Sequence, residues 1–392
     1  MDRRTFLATT AAAGSVPLLA SVSSASAATS VAARATSNTD LLPSRKAILA
    51  TMAKVDDYWI ARHPTPGAND WARATYFSGV MAHFRASRNP KYLDYALSWA
   101  AANNYALIGG NTTRYADNLA AGHVYLDLYK TVGGAEKIAD IKTCLSNIVN
   151  GPADAVSDWT WSDALHMAMP AMASLGSILG DSSYANKMYN MYHFTKRQLP
   201  SIPAGFAGAG LMSESANLWY RDGNYSLGGK AAVSPNGKAV LWSRANGWVI
   251  SAHAKVLESV SPNGIRGPEY VTTIRNMAAA LAAVQRSDGF WNVNLADPKH
   301  NPGLETSGTA FHVFGIAHGI RLGILPTKTY IPVVARAWNG LVKSAISQLG
   351  LLGYNQGVGA SPTGYQPNRL AQADYGLGAF LLAGAELQAL SH

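Results

Sequence analysis

The chain has 392 residues, 48 % of them hydrophobic and 14 % charged, with 36 Gly, 18 Pro and one Cys. That length suits one large single-core fold or two ordinary domains, and the low charge without long like-charge runs excludes disorder for most of it. The single cysteine, Cys144, excludes a disulfide framework and a multi-cysteine metal site, while a net charge of +9 spread over scattered Lys and Arg gives none of the basic blocks of a nucleic-acid binder and suits a small anionic substrate.

Residues 1–27 read as an export signal. Arg3-Arg4 precedes Phe6-Leu7 and an Ala/Leu/Val-rich run to Ala20, and Ala25-Ser26-Ala27 supplies a small-x-small cleavage site. The adjacent arginines suggest the twin-arginine route. The apolar run is too short for a membrane span and is broken by Gly14, Ser15 and Pro17. A flexible leader is expected over 28–42, then a single domain over 43–392. With no further spanning stretch, the mature protein is expected to be exported, soluble and monomeric.

Helical periodicity dominates from there. It predicts segments at 43–61, 73–87, 90–104, 117–131, 134–149, 163–179, 182–198, 244–260, 267–286, 307–322, 328–347 and 375–390. Asn89-Pro90 opens the third, Gly180 and Gly323 stop the sixth and tenth, and Ser261-Pro262 breaks the chain after the eighth. Strand-like alternation is confined to Gly289–Leu295. No long Ser/Pro linker divides the chain.

The segments alternate in kind. Odd-numbered ones look like amphipathic surface helices. Even-numbered ones are rich in Ala and Gly and begin with polar and aromatic clusters: Trp71-Ala-Arg73-Ala-Thr75-Tyr76, Asp117-Asn118, Trp161-Ser-Asp163, Trp242-Ser-Arg244-Ala-Asn246-Gly247-Trp248, Glu305-Thr306-Ser307-Gly308 and Asp374-Tyr375-Gly376. Small residues permit close helix approach, so these six are expected to form a parallel inner ring. The fold is predicted to be all-α, an (α/α)6 barrel with the six clusters at one mouth and the connection 199–243 on its rim. Gln285-Arg-Ser-Asp288-Gly289-Phe-Trp291 resembles the Q-x-x-D-G-x-W motif of terpene cyclases. It occurs once, without an Asp-rich magnesium site, and reads as a helix stop with Trp291 packed inside.

The chemistry falls to carboxylates. There is no Gly-x-Ser-x-Gly, phosphate loop, dinucleotide fingerprint or His-Glu-x-x-His, and His312 and His318 are spaced for core positions rather than metal ligation. Neither a metal nor another cofactor is expected. Asp117, Asp163, Glu305 and Asp374 are the inner-ring acids. Asp163, between Trp161 and Leu165, is the one best placed for desolvation, which would keep it protonated near neutrality; the alternative is a helix N-cap. Trp242 and Trp248 offer flat faces for a sugar and Arg244 an anion clamp, or equally core packing and a cap.

The ordered blocks Tyr115-Ala-Asp117-Asn118, Trp159-Thr-Trp161-Ser-Asp163-Ala-Leu-His166-Met167-Ala, Leu218-Trp-Tyr-Arg221-Asp222, Trp242-Ser-Arg-Ala-Asn-Gly-Trp248, Glu305-Thr-Ser-Gly308 and Tyr375-Gly-Leu-Gly-Ala379 resemble glycoside hydrolase family 105, the unsaturated rhamnogalacturonyl hydrolases, over residues 45–390. The resemblance implies hydration of the 4,5-double bond that polysaccharide lyases leave in a uronic acid. It implies Asp163 as proton donor and water-activating base, with Asp117 as its partner. Trp71, Tyr76, Trp161, His166, Arg221, Trp242, Arg244, Trp248, Thr306 and Ser307 are the implied substrate contacts. Arg221 stands where some members carry His, either as a second cation toward the uronate or paired with Asp222. The expected substrate is an acidic unsaturated oligosaccharide, unsaturated galacturonyl-rhamnose of rhamnogalacturonan I first and unsaturated glucuronyl sugars of ulvan-like polymers next. A non-catalytic sugar-binding barrel and a conventional two-carboxylate glycosidase are the competing expectations.

Overall fold

A computed structural model describes residues 41–198, 210–226, 228–362 and 367–391. The expected signal, 1–27, and all but the last two residues of the leader lie outside the described residues. Among the described residues there are twelve α-helices: α1 (Arg45–Ile60), α2 (Trp71–Ser87), α3 (Pro90–Ala102), α4 (Ala120–Val132), α5 (Ala139–Asn150), α6 (Asp163–Leu179), α7 (Ser182–Arg197), α8 (Ser243–Val256), α9 (Gly267–Ala283), α10 (Thr306–Arg321), α11 (Thr327–Ser344) and α12 (Asp374–Leu390).

The even-numbered helices touch in a closed cycle, α2–α4–α6–α8–α10–α12 and back to α2. The odd-numbered ones lie outside them, with α1 against α2 and α12, α3 against α2 and α4, and α9 against α8 and α10. This is the expected (α/α)6 barrel. Burial follows the two roles. Every residue of α8 is buried, whereas α5 buries only the stripe Ile141, Cys144, Leu145 and Ile148, the pattern of a helix with one wet face.

The ring closes where α2 meets α12, and two glycines allow it. A Cβ on Gly79 would lie 2.5 Å from the Gly378 carbonyl oxygen, and one on Gly378 would lie 2.2 Å from that of Thr75. Local capping fixes where the helices begin. Asp70 accepts from the Ala72 and Arg73 amides at the head of α2, and Glu305 accepts from Ser307 and Gly308 at the head of α10, satisfying donors a helix start leaves unpaired.

The differences from expectation are local. Residues 116–119 and 135–138 form tight 3₁₀ turns that lead into α4 and α5. Helix α8 ends at Val256 rather than 260, before Pro262, whose ring disfavours helical backbone in the residue preceding it. Gly289–Leu295 is not a strand. It makes one isolated bridge, Trp242 with Asn294, in which Ser243 N–H donates to the Val293 carbonyl at 2.8 Å and steadies the head of α8. Two short strands pair instead, β1 (Met212–Ser213) and β2 (Leu218–Trp219), in the connection expected on the rim. Trp291 is buried, its indole N–H donating to the Leu281 carbonyl at 2.8 Å, so the cyclase-like motif is a packed helix stop.

Gly79→Ala and Gly378→Ala should each cost about 1–3 kcal/mol through overpacking of the α2–α12 seam. Denaturant unfolding checks this, and an unchanged midpoint in both variants would refute the close approach.

Candidate active site

The heads of the inner helices meet at one mouth. Trp71 opens α2, Asp117 lies in the turn before α4, Asp163 opens α6, and Arg244 and Trp248 sit in the first turns of α8. With Trp161, Met167, Arg221, Val358, Gly359 and Ala360 they line a cavity of about 220 Å³. The tail ends of α2, α10 and α12 meet at the opposite end, around Arg85, Arg321 and Glu386, so the inner ring is parallel.

Asp163 is fixed from two directions. Its position at the head of α6 aims it into the mouth, and an antiparallel bridge between Trp161 and Asp222 lays the rim segment beside it. The Ser162 amide donates to the Arg221 carbonyl at 2.8 Å. That register sets the Arg221 side chain against the acid, with Nε donating to Asp163 Oδ2 at 2.9 Å and Nη1 to Asp222 Oδ2 at 2.7 Å. Asp163 Oδ1 is buried with no hydrogen-bond partner among the described residues. Burial raises the Asp163 pKa from the usual carboxylate value, and the Arg221 and Arg244 cations oppose that rise without cancelling it. Asp117 is pushed up to about 6, by burial first and by the neighbouring Asp163 charge second. Two carboxyl groups that disfavour ionisation thus share one cavity wall. The alternative for Asp163, a simple N-cap, is not what its side chain does: Ser162 occupies the cap position and no side-chain cap bond forms there.

Aromatic faces complete the wall. Trp248 packs on Phe311 at 4.2 Å and meets Trp71 edge-on at 6.0 Å, while Trp161 leans on Tyr115 at 5.2 Å. Such rings offer apolar faces to a sugar without needing to move.

Arg244 does something other than clamp an anion. Its Nη1 donates to the Gly357 carbonyl at 2.9 Å and to the Tyr375 hydroxyl, and Nη2 donates to the Gly359 carbonyl at 3.0 Å. Its guanidinium carbon lies 4.3 Å from the Trp242 ring centroid. The arginine fastens the segment that carries Val358, Gly359 and Ala360 over the cavity.

Five expected contacts do not reach the cavity. Tyr76 is five residues along α2 from Trp71, about 140° around the helix, and its buried hydroxyl donates to Asp56 Oδ1 on α1 at 2.7 Å. Trp242 is buried and donates to Gln356 Oε1 at 2.7 Å, holding the same rim segment. Thr306 Oγ1 donates to the Gly353 carbonyl at 2.7 Å, and Ser307 binds its own cap, Glu305. His166 sits one turn below Asp163, covered by Trp248 at 4.9 Å and Phe311 at 5.6 Å, and burial lowers its pKa well below the usual value, which keeps it neutral. Of the other acids, Glu305 is a buried cap and Asp374 pairs with Arg73.

Met167, Val358, Gly359 and Ala360 were not anticipated. Met167 follows Asp163 by four residues and so shares its helix face, a signal the sequence did carry. The rim segment had none, because what brings it to the mouth is a set of carbonyls bound to Arg244 from 112 or more positions away.

Residues 44–391 match the family model described as Glycosyl Hydrolase Family 88. The chain belongs to glycosyl hydrolase family 88. It is 29 % identical over 347 residues to an unsaturated 3S-rhamnoglycuronyl hydrolase of Alteromonas sp., covering 83 % of this chain and 79 % of that one. Among solved structures, a glycosyl hydrolase family 88 protein from Bacteroides vulgatus superposes with a TM-score of 0.79 at 29 % identity, over 89 % of this chain and 100 % of that one. A chain described as a polysaccharide lyase does so with the same TM-score at 30 % identity, over 88 % and 97 %. The expected kinship with the unsaturated rhamnogalacturonyl hydrolases and their relatives holds. The chain is a glycoside hydrolase.

Asp117 gives a stability test. Its folded pKa, about 6, exceeds the usual 3.8, so the folded state holds the proton longer than the unfolded chain. Stability is lost as pH rises through that window, and ionised Asp117 is a net cost at neutrality. Asp117→Asn should therefore raise stability at pH 7 by up to about 3 kcal/mol, and the gain should vanish in acid below 3.8. Thermal unfolding at both pH values checks the sign; equal gains at both would refute it.

Proposed function

We propose that this family member hydrates the 4,5-double bond of an unsaturated uronic acid at the non-reducing end of a lyase-generated oligosaccharide, with Asp163 as acid and then base. The observation that carries this is Asp163 itself: a buried carboxyl with one oxygen unpaired, in the wall of a cavity lined by tryptophans and by Arg221, which is ion-paired to it.

The steps balance with that one group. Asp163 gives its proton to C4 while the double-bond electrons form the new C–H bond, leaving positive charge at C5 shared with the ring oxygen. Water adds at C5 and returns its proton to the Asp163 carboxylate, so the acid is regenerated. The product is a hemiketal at C5. It opens by breaking the C5–ring oxygen bond, and the hemiacetal exposed at C1 then collapses and frees the next sugar. Because the aglycone bond is not attacked directly, the carboxylate spacing of ordinary glycosidases does not apply. Asp117 lines the same cavity as Asp163, and like charges in one site favour one of the pair staying protonated.

The substrate is proposed to be an unsaturated uronyl group on rhamnose, in keeping with the name of the Alteromonas relative. Elimination by a lyase erases the stereocentres at C4 and C5. Glucuronic and galacturonic acids differ only at C4, so both yield the same unsaturated ring. The two expected substrates are therefore distinguished by the anomeric bond and the sugar beyond it.

A lyase is the second reading, favoured by the name of one solved relative. The two act in opposite directions on the ultraviolet absorbance of the conjugated enol, which a hydrolase consumes and a lyase creates. Wild type should consume it from unsaturated galacturonyl-rhamnose or unsaturated glucuronyl-rhamnose. Asp163→Asn should lower kcat by about 10²–10⁴-fold with an unchanged circular dichroism spectrum. Rising absorbance from intact polymer would establish the lyase, and saccharide binding with no change in either direction the non-catalytic barrel.

The protein is further proposed to act as an exported monomer after removal of residues 1–27. Mass spectrometry of protein recovered outside the cytoplasm should then show an N-terminus at Ala28, and intact Met1 there would refute the cleavage.

A further inference from the structure

Two cations stand in the cavity wall, and they are used differently. Arg244 spends its donors on carbonyls and a hydroxyl. Arg221 has only carboxylate partners, Asp163 at 2.9 Å and Asp222 at 2.7 Å, and among the described residues its Nη2 makes no hydrogen bond. Asp222 is built in: its backbone bridges Trp161, and its Oδ1 accepts from the Asn224 amide at 2.8 Å. Asp163 has no such second tie, since its other oxygen is unpartnered.

That leaves a conflict in the empty site. The guanidinium contact favours the ionised form of Asp163 and works against the burial that raises its pKa, yet an acid that protonates C4 must carry a proton. The substrate brings the means to resolve it. Its carboxylate is bonded to C5, next to the carbon that receives the proton, so productive binding sets that carboxylate beside Asp163. Two carboxylates and one available guanidinium then compete, and the buried pair cannot both stay ionised without a partner.

We propose that the substrate carboxylate displaces Asp163 from Arg221. Arg221 keeps its anchor on Asp222 and turns its Nε and Nη2 edge to the sugar. Asp163, released, takes up one proton from solvent and becomes the acid. Arg221 is a positioning residue, and the acid is armed only by a sugar that carries a carboxylate. This rests on the hydration reading above. The groups facing Asp163 are Arg221 and Asp222 from the rim segment, Arg244 from α8 and Asp117 from the turn before α4; Arg221 alone among them changes partner.

The pH profile tests the exchange. The alkaline limb of kcat/KM reports the acid in the free enzyme, and that of kcat reports it in the complex. In wild type the kcat limb should lie about 1 pH unit or more above the kcat/KM limb, the size of effect a guanidinium has on a neighbouring carboxyl. In Arg221→Gln the two limbs should coincide and KM should rise. Arg221→Lys, which keeps the charge, should restore part of the separation. An arginine that merely supports the fold would change kcat without moving one limb against the other. Turnover in wild type with coincident limbs overturns the exchange and leaves the hydrolase intact. No turnover of either unsaturated disaccharide overturns both.

Discussion

The constraint on which the rest depends is the tightness of the inner ring. Six helices can close a cycle around a filled centre only if their backbones approach closely, and at the α2–α12 seam that approach leaves no room for a single methyl. Interiors at crystal-like density transmit such constraints, so the position of each helix head is set by its neighbours as much as by its own cap. The consequence for chemistry is that Trp71, Asp163, Arg244 and Trp248 are held by three different rigid helices, α2, α6 and α8.

The rim is built from the opposite principle. It consists of irregular backbone attached to the rigid mouth by side chains of the inner helices. Arg244 binds carbonyls of the 356–359 segment, Trp242 binds Gln356, and Thr306 binds Gly353. The 210–226 segment is joined by a bridge to Trp161, by Arg221 to Asp163, and by the Trp219 backbone to the Asn246 side chain of α8. The acid Asp163 therefore stands on a helix, while Arg221, Val358, Gly359 and Ala360 reach the cavity from attached segments.

The fold was legible because its signals are local. Apolar period, caps and the alternation of Ala/Gly-rich with amphipathic segments identified all twelve helices and the two layers, and α6 begins and ends where Asp163 and Leu179 predict. The acids were legible for the same reason, since a carboxylate heading an apolar helix is a local pattern. What failed was facing. Tyr76 and Trp242 stand in the right clusters but turn into the wall, and no short motif says which side of a helix head looks inward. Long-range contacts were equally hidden. Arg221 lies 58 residues from Asp163, and whether it paired with Asp222 or reached further could not be decided from their adjacency; it does both. The short β1–β2 pairing escaped because two-residue strands carry no periodicity.

The parallel ring also gives the molecule a polarity. Each inner helix carries a partial positive charge at its head and a partial negative one at its tail. At the tails, cations occupy the last turns: Arg85 on α2, Lys130 on α4, Lys255 on α8 and Arg321 on α10. They offset the converging negative ends. At the heads, the partial positive ends meet the acids Asp70, Asp117, Asp163, Glu305 and Asp374, with the cations Arg73, Arg221 and Arg244 standing among them. The geometry that packs the core thus gathers the acids at the end of the barrel where the helix dipoles favour negative charge.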